Sequence, residues 1–202
     1  MDRKLDIHPN AKALIFDLDG TLADNMPIHY LAFRSVLKDY NVDLKPDFFM
    51  SLAGVPAVET IARYNEVFGV QMEPEKVGHQ KEAEYETLMS KMKPVEPVVE
   101  LLKKYHGKLP IAIGTGGYRR LAEKTLEIIG IEKYVDVLVS ADDVQHPKPH
   151  PETFLKCAEQ MGVAPEFCHV FEDGKPGMQA ARTAGMMVTD VNEYYEMDFS
   201  IA

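Results

Sequence analysis

Asp17 and Asp19 stand one residue apart where the apolar run Leu14-Ile15-Phe16 ends, and Gly20-Thr21 follows them. A carboxylate beside an apolar core is costly unless something compensates it. Side chains two apart in an extended strand point to the same side, so these two carboxylates can share one site, with Gly20 releasing the chain into a turn. A second acidic pair, Glu172-Asp173, closes the apolar run "CHVFE". Hard carboxylate oxygens at that density call for a hard cation, and Mg²⁺ suits a few carboxylates plus a phosphate oxygen. No histidine or cysteine is placed to favour zinc there. A carboxylate held beside a phosphate can attack phosphorus and form an acyl-phosphate. A second carboxyl nearby can protonate the leaving oxygen and then take a proton from water. Thr115 and the amides of the Gly-rich turn at Gly116 could bind phosphate oxygens, and Lys148 would supply positive charge in the transition state.

Each residue also has a plainer reading. Asp17 and Asp19 could form an Asx turn, Glu172 and Asp173 could favour a helix dipole, Thr115 could be structural, and Lys148 could be solvated. "DLDG" also opens like a calcium-binding EF-hand loop, but the twelfth position of such a loop falls on Ile28 rather than a bidentate Glu, which excludes it. What favours chemistry is the order of these residues at the ends of successive apolar runs.

Those runs set the architecture. One buried strand is expected over 12–17. A long helical stretch follows from about Pro27 to Met92, with Asp24 or Asn25 as its cap and Pro27 in its first turn. After it, "PIAIGT", "VDVLVS", "CHVFE" and "MMVTD" alternate with helical segments of about ten residues, which implies right-handed crossovers and a parallel sheet. The expected fold is therefore a doubly wound α/β core, over 1–26 and 93–202, with a helical domain over 27–92 inserted after the first strand. In such sheets ligands bind beyond the carboxyl ends of the strands, which is where the acids, Thr115 and Lys148 fall.

The chain has 202 residues, 46% hydrophobic and 27% charged, enough for a sizeable core. Its formal net charge of −10, with no basic block, disfavours nucleic-acid binding. No apolar run approaches the roughly 20 residues that span a bilayer, and "MDRKLDIHPNAK" has no apolar core of a signal peptide. A cytoplasmic monomer is expected. Cys157 and Cys168 read as reduced, small apolar residues.

With those residues in place, the sequence resembles the haloacid dehalogenase-like superfamily of phosphotransferases. "DLDGT" matches its first motif, the Thr of "IGTGG" its second, the Lys of "HPKPHP" its third and "FEDGKPG" its fourth. The resemblance implies a Rossmann-like core with Asp17 as nucleophile and Asp19 as general acid/base. It implies Mg²⁺ held by Asp17, the Asp19 backbone carbonyl and Asp173, with Glu172 supporting the metal shell. Thr115, Gly116 and Lys148 would hold the transferring phosphoryl group. The helical insertion is similar to the cap of the β-phosphoglucomutase-like subgroup, which closes over the site and selects the substrate. Within that subgroup the chain looks most like phosphatases of small sugar phosphates, of the bacterial fructose-1-phosphatase type.

Two other functions remain open. A mutase on this fold would return the phosphoryl group to a bisphosphorylated sugar, which needs a cap cation for the distal phosphate. The matching stretch "AGVPAVETIARY" offers Ala57, with Arg63 the nearest arginine, while His29 matches the cap histidine that couples closure to catalysis. A non-catalytic binding or regulatory protein is the third possibility. Substrate contacts are expected among His29, Arg63, Lys81 and Tyr85, with Tyr118 and Arg119 after the second core strand.

Overall fold

The apolar run that ends in Asp17 forms β1 (Ala13–Phe16), fully buried at the centre of a five-stranded sheet. In this computed structural model, which describes residues 4–197 and 199, β1 is flanked by β4 (Ile111–Gly114) and β6 (Cys168–Glu172). The outer strands are β5 (Val137–Val139) and β7 (Met187–Asp190). Every pairing is parallel, in the order β5-β4-β1-β6-β7, with Phe16 opposite both Ile113 and Phe171. The expected core segments 1–26 and 93–202 extend at both ends beyond the described residues.

Period-two alternation divides the core. Leu14 and Phe16 turn to one face and pack with Val98, Val99 and Leu102 of α5 (Glu96–Tyr105) and Leu121 and Leu126 of α6 (Arg119–Ile128). Ala13 and Ile15 turn to the other, against Phe154, Cys157 and Ala158 of α7 (Glu152–Met161) and Ala180 and Ala181 of α8 (Lys175–Thr183). A strand buried on both sides is why β1 reads as an unbroken apolar run. Both cysteines are free and buried.

Between β1 and α5 lie four helices: α1 (Met26–Leu37), α2 (Pro46–Met50), α3 (Ala57–Phe68) and α4 (Pro74–Leu88). They enclose a cluster of their own, with Phe33, Phe49, Ile61, Tyr64 and Val77 buried in it. A short antiparallel ribbon gathers the two ends of this segment: β2 (Ala23–Asp24) pairs with β3 (Lys93–Pro94), Ala23 opposite Pro94 and Asp24 opposite Lys93. The sequence reading has no sign of this ribbon, because two residues per strand carry no alternation. Among the described residues no helix is long and apolar enough to cross a membrane.

One buried histidine gives the fold a pH dependence unrelated to the acidic site. His169 of β6 accepts the backbone N–H of His8 at Nδ1 (3.0 Å), and its Nε2 lies 2.8 Å from Thr189 Oγ1. The accepting Nδ1 puts the ring proton on Nε2. Burial, helped by nearby His8, pushes the pKa of His169 down to about 4. A depressed histidine pKa means that only the unfolded chain takes up the proton between its ordinary value of about 6.5 and about 4. Stability is therefore full above that window and falls through it on acidification, by up to about 3 kcal/mol. In urea unfolding at about pH 7.5 and about pH 5, the loss on acidification should be smaller for His169→Gln than for the parent; equal losses would contradict this assignment.

Candidate active site

The main chain carries sheet geometry one residue past β1, the Asp17 N–H donating to Phe171 O (2.9 Å), so the Asp17 side chain emerges at the carboxyl edge of the two central strands. Glu172 is the last residue of β6, and Asp173 follows it. Lys148 arrives from the loop between β5 and α7. Its ammonium donates to Asp17 Oδ1 (2.6 Å) and to Glu172 Oε2 (2.8 Å), with no exposed side-chain surface. Glu172 Oε1 accepts the Gly174 N–H (2.9 Å), and Asp173 Oδ1 accepts the Thr21 hydroxyl (2.9 Å). Ligand oxygens of Asp17, Glu172 and Asp173 all lie within 4.8 Å of one another.

This cluster has three buried carboxylates against one lysine. Burial, and then Glu172, push the Asp17 carboxyl above its ordinary value despite Lys148, and burial with Glu172 and Asp17 does the same for Asp173. Lys148 is held firmly charged: burial opposes its charge, but Asp17 and Glu172 outweigh that opposition. Asp173 Oδ2 is buried with no hydrogen-bond partner. An orphaned carboxylate oxygen amid uncompensated negative charge fits a hard divalent cation such as Mg²⁺. The turn leading here must be glycine. Gly20 has φ +88°, and a Cβ on it would lie 2.3 Å from Asp173 Oδ2.

Asp19 sits in a different environment. Its Oδ1 accepts the Asn25 side-chain N–H (2.6 Å) and lies 3.4 Å from His29 Nε2. Lys81 Nζ stands 2.7 Å from His29 Nδ1. An ammonium only donates, so Nδ1 accepts and the ring proton sits on Nε2, on the Asp19 side of the ring, where Nε2 makes no hydrogen bond. Burial and the Lys81 charge lower the His29 pKa, against the opposing pull of Asp19. Burial works against the Asp19 charge, yet His29, Asn25 and Lys81 hold its carboxyl below the usual carboxylate range. Of the two expected caps of α1, Asp24 and Asn25, it is Asn25 that occupies the N-cap position. Its side chain makes no cap bond and instead serves Asp19, the Gly20 N–H (3.2 Å) and the Tyr85 hydroxyl (2.7 Å).

A cavity opens between this edge and the helical segment. Asp17, Asp19, Thr115, Gly116 and Gly117 line it from the sheet; His29, Lys81, Glu82, Phe33, Phe49, Leu52 and Val55 are among those lining it from the helices. Its free volume is about 50 Å³, well below the few hundred that a small-molecule pocket offers. Thr115 is buried, and its hydroxyl accepts the Gly117 N–H (2.9 Å), which shapes the turn. A Cβ on Gly116 would lie 2.3 Å from the backbone carbonyl oxygen of Gly54, in the loop before α3. No side-chain rotation relieves a clash with backbone. Gly116→Ala should therefore hold the helical segment off the site and lower kcat/KM about 100-fold, while the urea midpoint, governed by the core, changes little. An unchanged kcat/KM would contradict the importance of this close approach.

The outlying candidates divide. His29 and Lys81 line the cavity, and Tyr85 stands behind them, its ring stacked on His29 at 3.9 Å. Arg63, Tyr118 and Arg119 do not line it. The inner face of α3 is Ala57, Thr60, Ile61 and Tyr64, which puts Arg63 on the outer face, its side chain 64% exposed and paired with Glu66 (3.0 Å). Arg119 turns back to Leu138 O (2.9 Å) and Asp143 (2.7 Å). Tyr118 lines a separate surface hollow with His79, Glu82 and Arg120. Glu82 has no signal in the sequence, and Asn25 reads there only as a candidate helix cap. Thr21 was legible as the residue after Gly20, but the partner of its hydroxyl was not.

Residues 14–191 match the family described as haloacid dehalogenase-like hydrolase. The chain is 41% identical to the fructose-1-phosphate phosphatase of Escherichia coli, over 88% of this chain and 95% of that protein. It is 34% identical to a phosphorylated carbohydrates phosphatase of Thermotoga maritima, over 87% and 82%. The crystal structure of β-phosphoglucomutase from Clostridium difficile superimposes with a TM-score of 0.79 at 27% identity, covering 89% of this chain and 84% of that one.

Proposed function

The chain belongs to the haloacid dehalogenase-like hydrolase family, and from that premise we propose that it is a Mg²⁺-dependent phosphatase of small sugar phosphates acting through an aspartyl-phosphate on Asp17. The observation that carries this reading is the convergence of Asp17, Glu172, Asp173 and Lys148 at one buried sheet edge, with Asp173 Oδ2 unpartnered.

Lys148 ties down Asp17 Oδ1, which leaves the other oxygen to attack phosphorus. The same ammonium lies where negative charge grows on the transferring group. Mg²⁺ held by Asp17, Asp173 and the Asp19 backbone carbonyl, with Glu172 in support, would neutralise the carboxylates and draw in the phosphate. Asp19 acts as acid and then base. An arriving phosphate dianion raises its pKa, favouring the protonated form that donates to the leaving oxygen. The carboxylate so formed takes a proton from the water that opens the acyl-phosphate. Asn25 aims Asp19, with His29 beside it, and Thr115 and Gly116 receive the phosphoryl oxygens. The segment 27–92 serves as a cap: the small cavity supports a closed arrangement, which must open to admit a sugar.

Similarity to a mutase favours a second reading. Returning a phosphoryl group to a bisphosphorylated sugar requires a cation on the cap side of the cavity. Among the described residues lining it, Lys81 is the one ammonium or guanidinium, and it is committed to His29 and Glu82. Arg63 faces outward. These placements favour hydrolysis of monophosphates. Incubation with fructose 1-phosphate, glucose 6-phosphate and β-glucose 1-phosphate in Mg²⁺ should release inorganic phosphate. Interconversion of the glucose phosphates without release would establish the mutase instead.

A further inference from the structure

We propose that the outer side of the loop carrying Lys148 is a second metal site, built by His146, His150 and Glu152 for one borderline divalent ion of the zinc class. It is separate from the acidic cluster in both position and chemistry.

The segment from Gln145 reads "QHPKPHPE". Lys148 at its centre is buried, while His146 and His150, two residues to either side, are exposed. The two imidazole rings lie 4.7 Å apart at 38°. His146 Nδ1 stands 3.0 Å from Glu152 Oε2, a hydrogen bond that an ion would replace; two donors at about 2.1 Å from one tetrahedral ion lie about 3.4 Å apart, so the pair need open only slightly to share it. One ligand atom from each of the three residues falls within 4.8 Å of the others. Two imidazoles and a carboxylate suit zinc, cobalt or nickel rather than magnesium, which prefers oxygen alone.

The site is organised before an ion arrives. The Gln145 and His146 backbone N–H groups donate to Glu152 (both 3.0 Å), and Lys156 pairs with its Oε1 (3.0 Å). These contacts hold the carboxylate in place, with Oε2 toward His146. The Glu152 N–H points to His150 Nδ1 (3.3 Å), which orients that ring. Pro147, Pro149 and Pro151 alternate with the other residues of the loop and fix φ at three positions, so little chain entropy is left to lose on binding. Three protein ligands leave positions for water, as in open zinc sites.

The test is calorimetric titration of the full chain with ZnCl₂ in excess MgCl₂, which keeps the acidic cluster occupied. The parent should take up one Zn²⁺ per chain that a His146→Ala/His150→Ala variant does not. Either single variant should bind it at least tenfold more weakly, about 1.4 kcal/mol. Zn²⁺ should raise the melting temperature of the parent but not of the double variant. Both histidines are exposed, so the variants should fold and, without zinc, should release phosphate at close to the parent rate. Equal zinc uptake by parent and double variant would overturn the proposal. So would uptake that survives in the double variant and disappears in Asp173→Asn, since the ion would then lie in the acidic cluster.

Discussion

Asp17→Asn should abolish turnover, with kcat falling by about 10⁴-fold or more, and yet leave a more stable protein. The amide has the shape of the carboxylate and can still accept from Lys148, so the fold has no reason to change. It cannot attack phosphorus. The stability gain follows from charge. In the metal-free chain Asp17, Glu172 and Asp173 oppose a single ammonium in a buried setting, and removing one negative charge relieves that repulsion by about 1 kcal/mol or more. Urea unfolding in chelator, beside a phosphate-release assay, reads both effects. A variant with near-parental turnover, or one that is inactive because it is unfolded, would contradict the assignment.

Lys148→Met should lose activity by about 10³-fold and also lose stability, the opposite sign. Methionine fills much of the lysine volume against Phe154, whose ring centroid lies 4.6 Å from the ammonium. It leaves Asp17 and Glu172 buried with no positive charge between them, and breaking a buried pair in this way costs about 3–5 kcal/mol. Opposite stability changes at two residues in direct contact, 2.6 Å apart, together with a shared loss of activity, are what an overcharged acidic cluster requires. A merely structural ion pair would be weakened from either side. If both variants are destabilised, the cluster is not overcharged in the way described.

The parts of this arrangement that were legible in the sequence are those written locally. β1 and β6 are buried on both faces, so their apolar runs stand out, and the acids that end them must lie at the sheet edge. Thr115 and Lys148 were legible only through their order along the chain. Arg63 is the arginine nearest Ala57 along the chain, but helix phase turns it outward, because Ala57, Thr60, Ile61 and Tyr64 set the inward face. Tyr118 and Arg119 follow a strand whose next turn can aim them either way; Arg119 is spent on the Leu138 carbonyl and Asp143. Asn25 looked like a helix cap because caps are what asparagine before a helix most often supplies, and only tertiary contact shows it turned to Asp19. The β2–β3 ribbon has no sequence pattern to find.

The attack of Asp17 on phosphorus is tested most directly by acid-quenching the enzyme during steady turnover of fructose 1-phosphate in Mg²⁺ and mapping the modified peptide by mass spectrometry. The account predicts one phosphoryl group on Asp17, labile to hydroxylamine, absent when substrate is added in excess chelator and absent from Asp17→Asn. Undiminished turnover with no such adduct, or a phosphoryl group on any other residue, would contradict it.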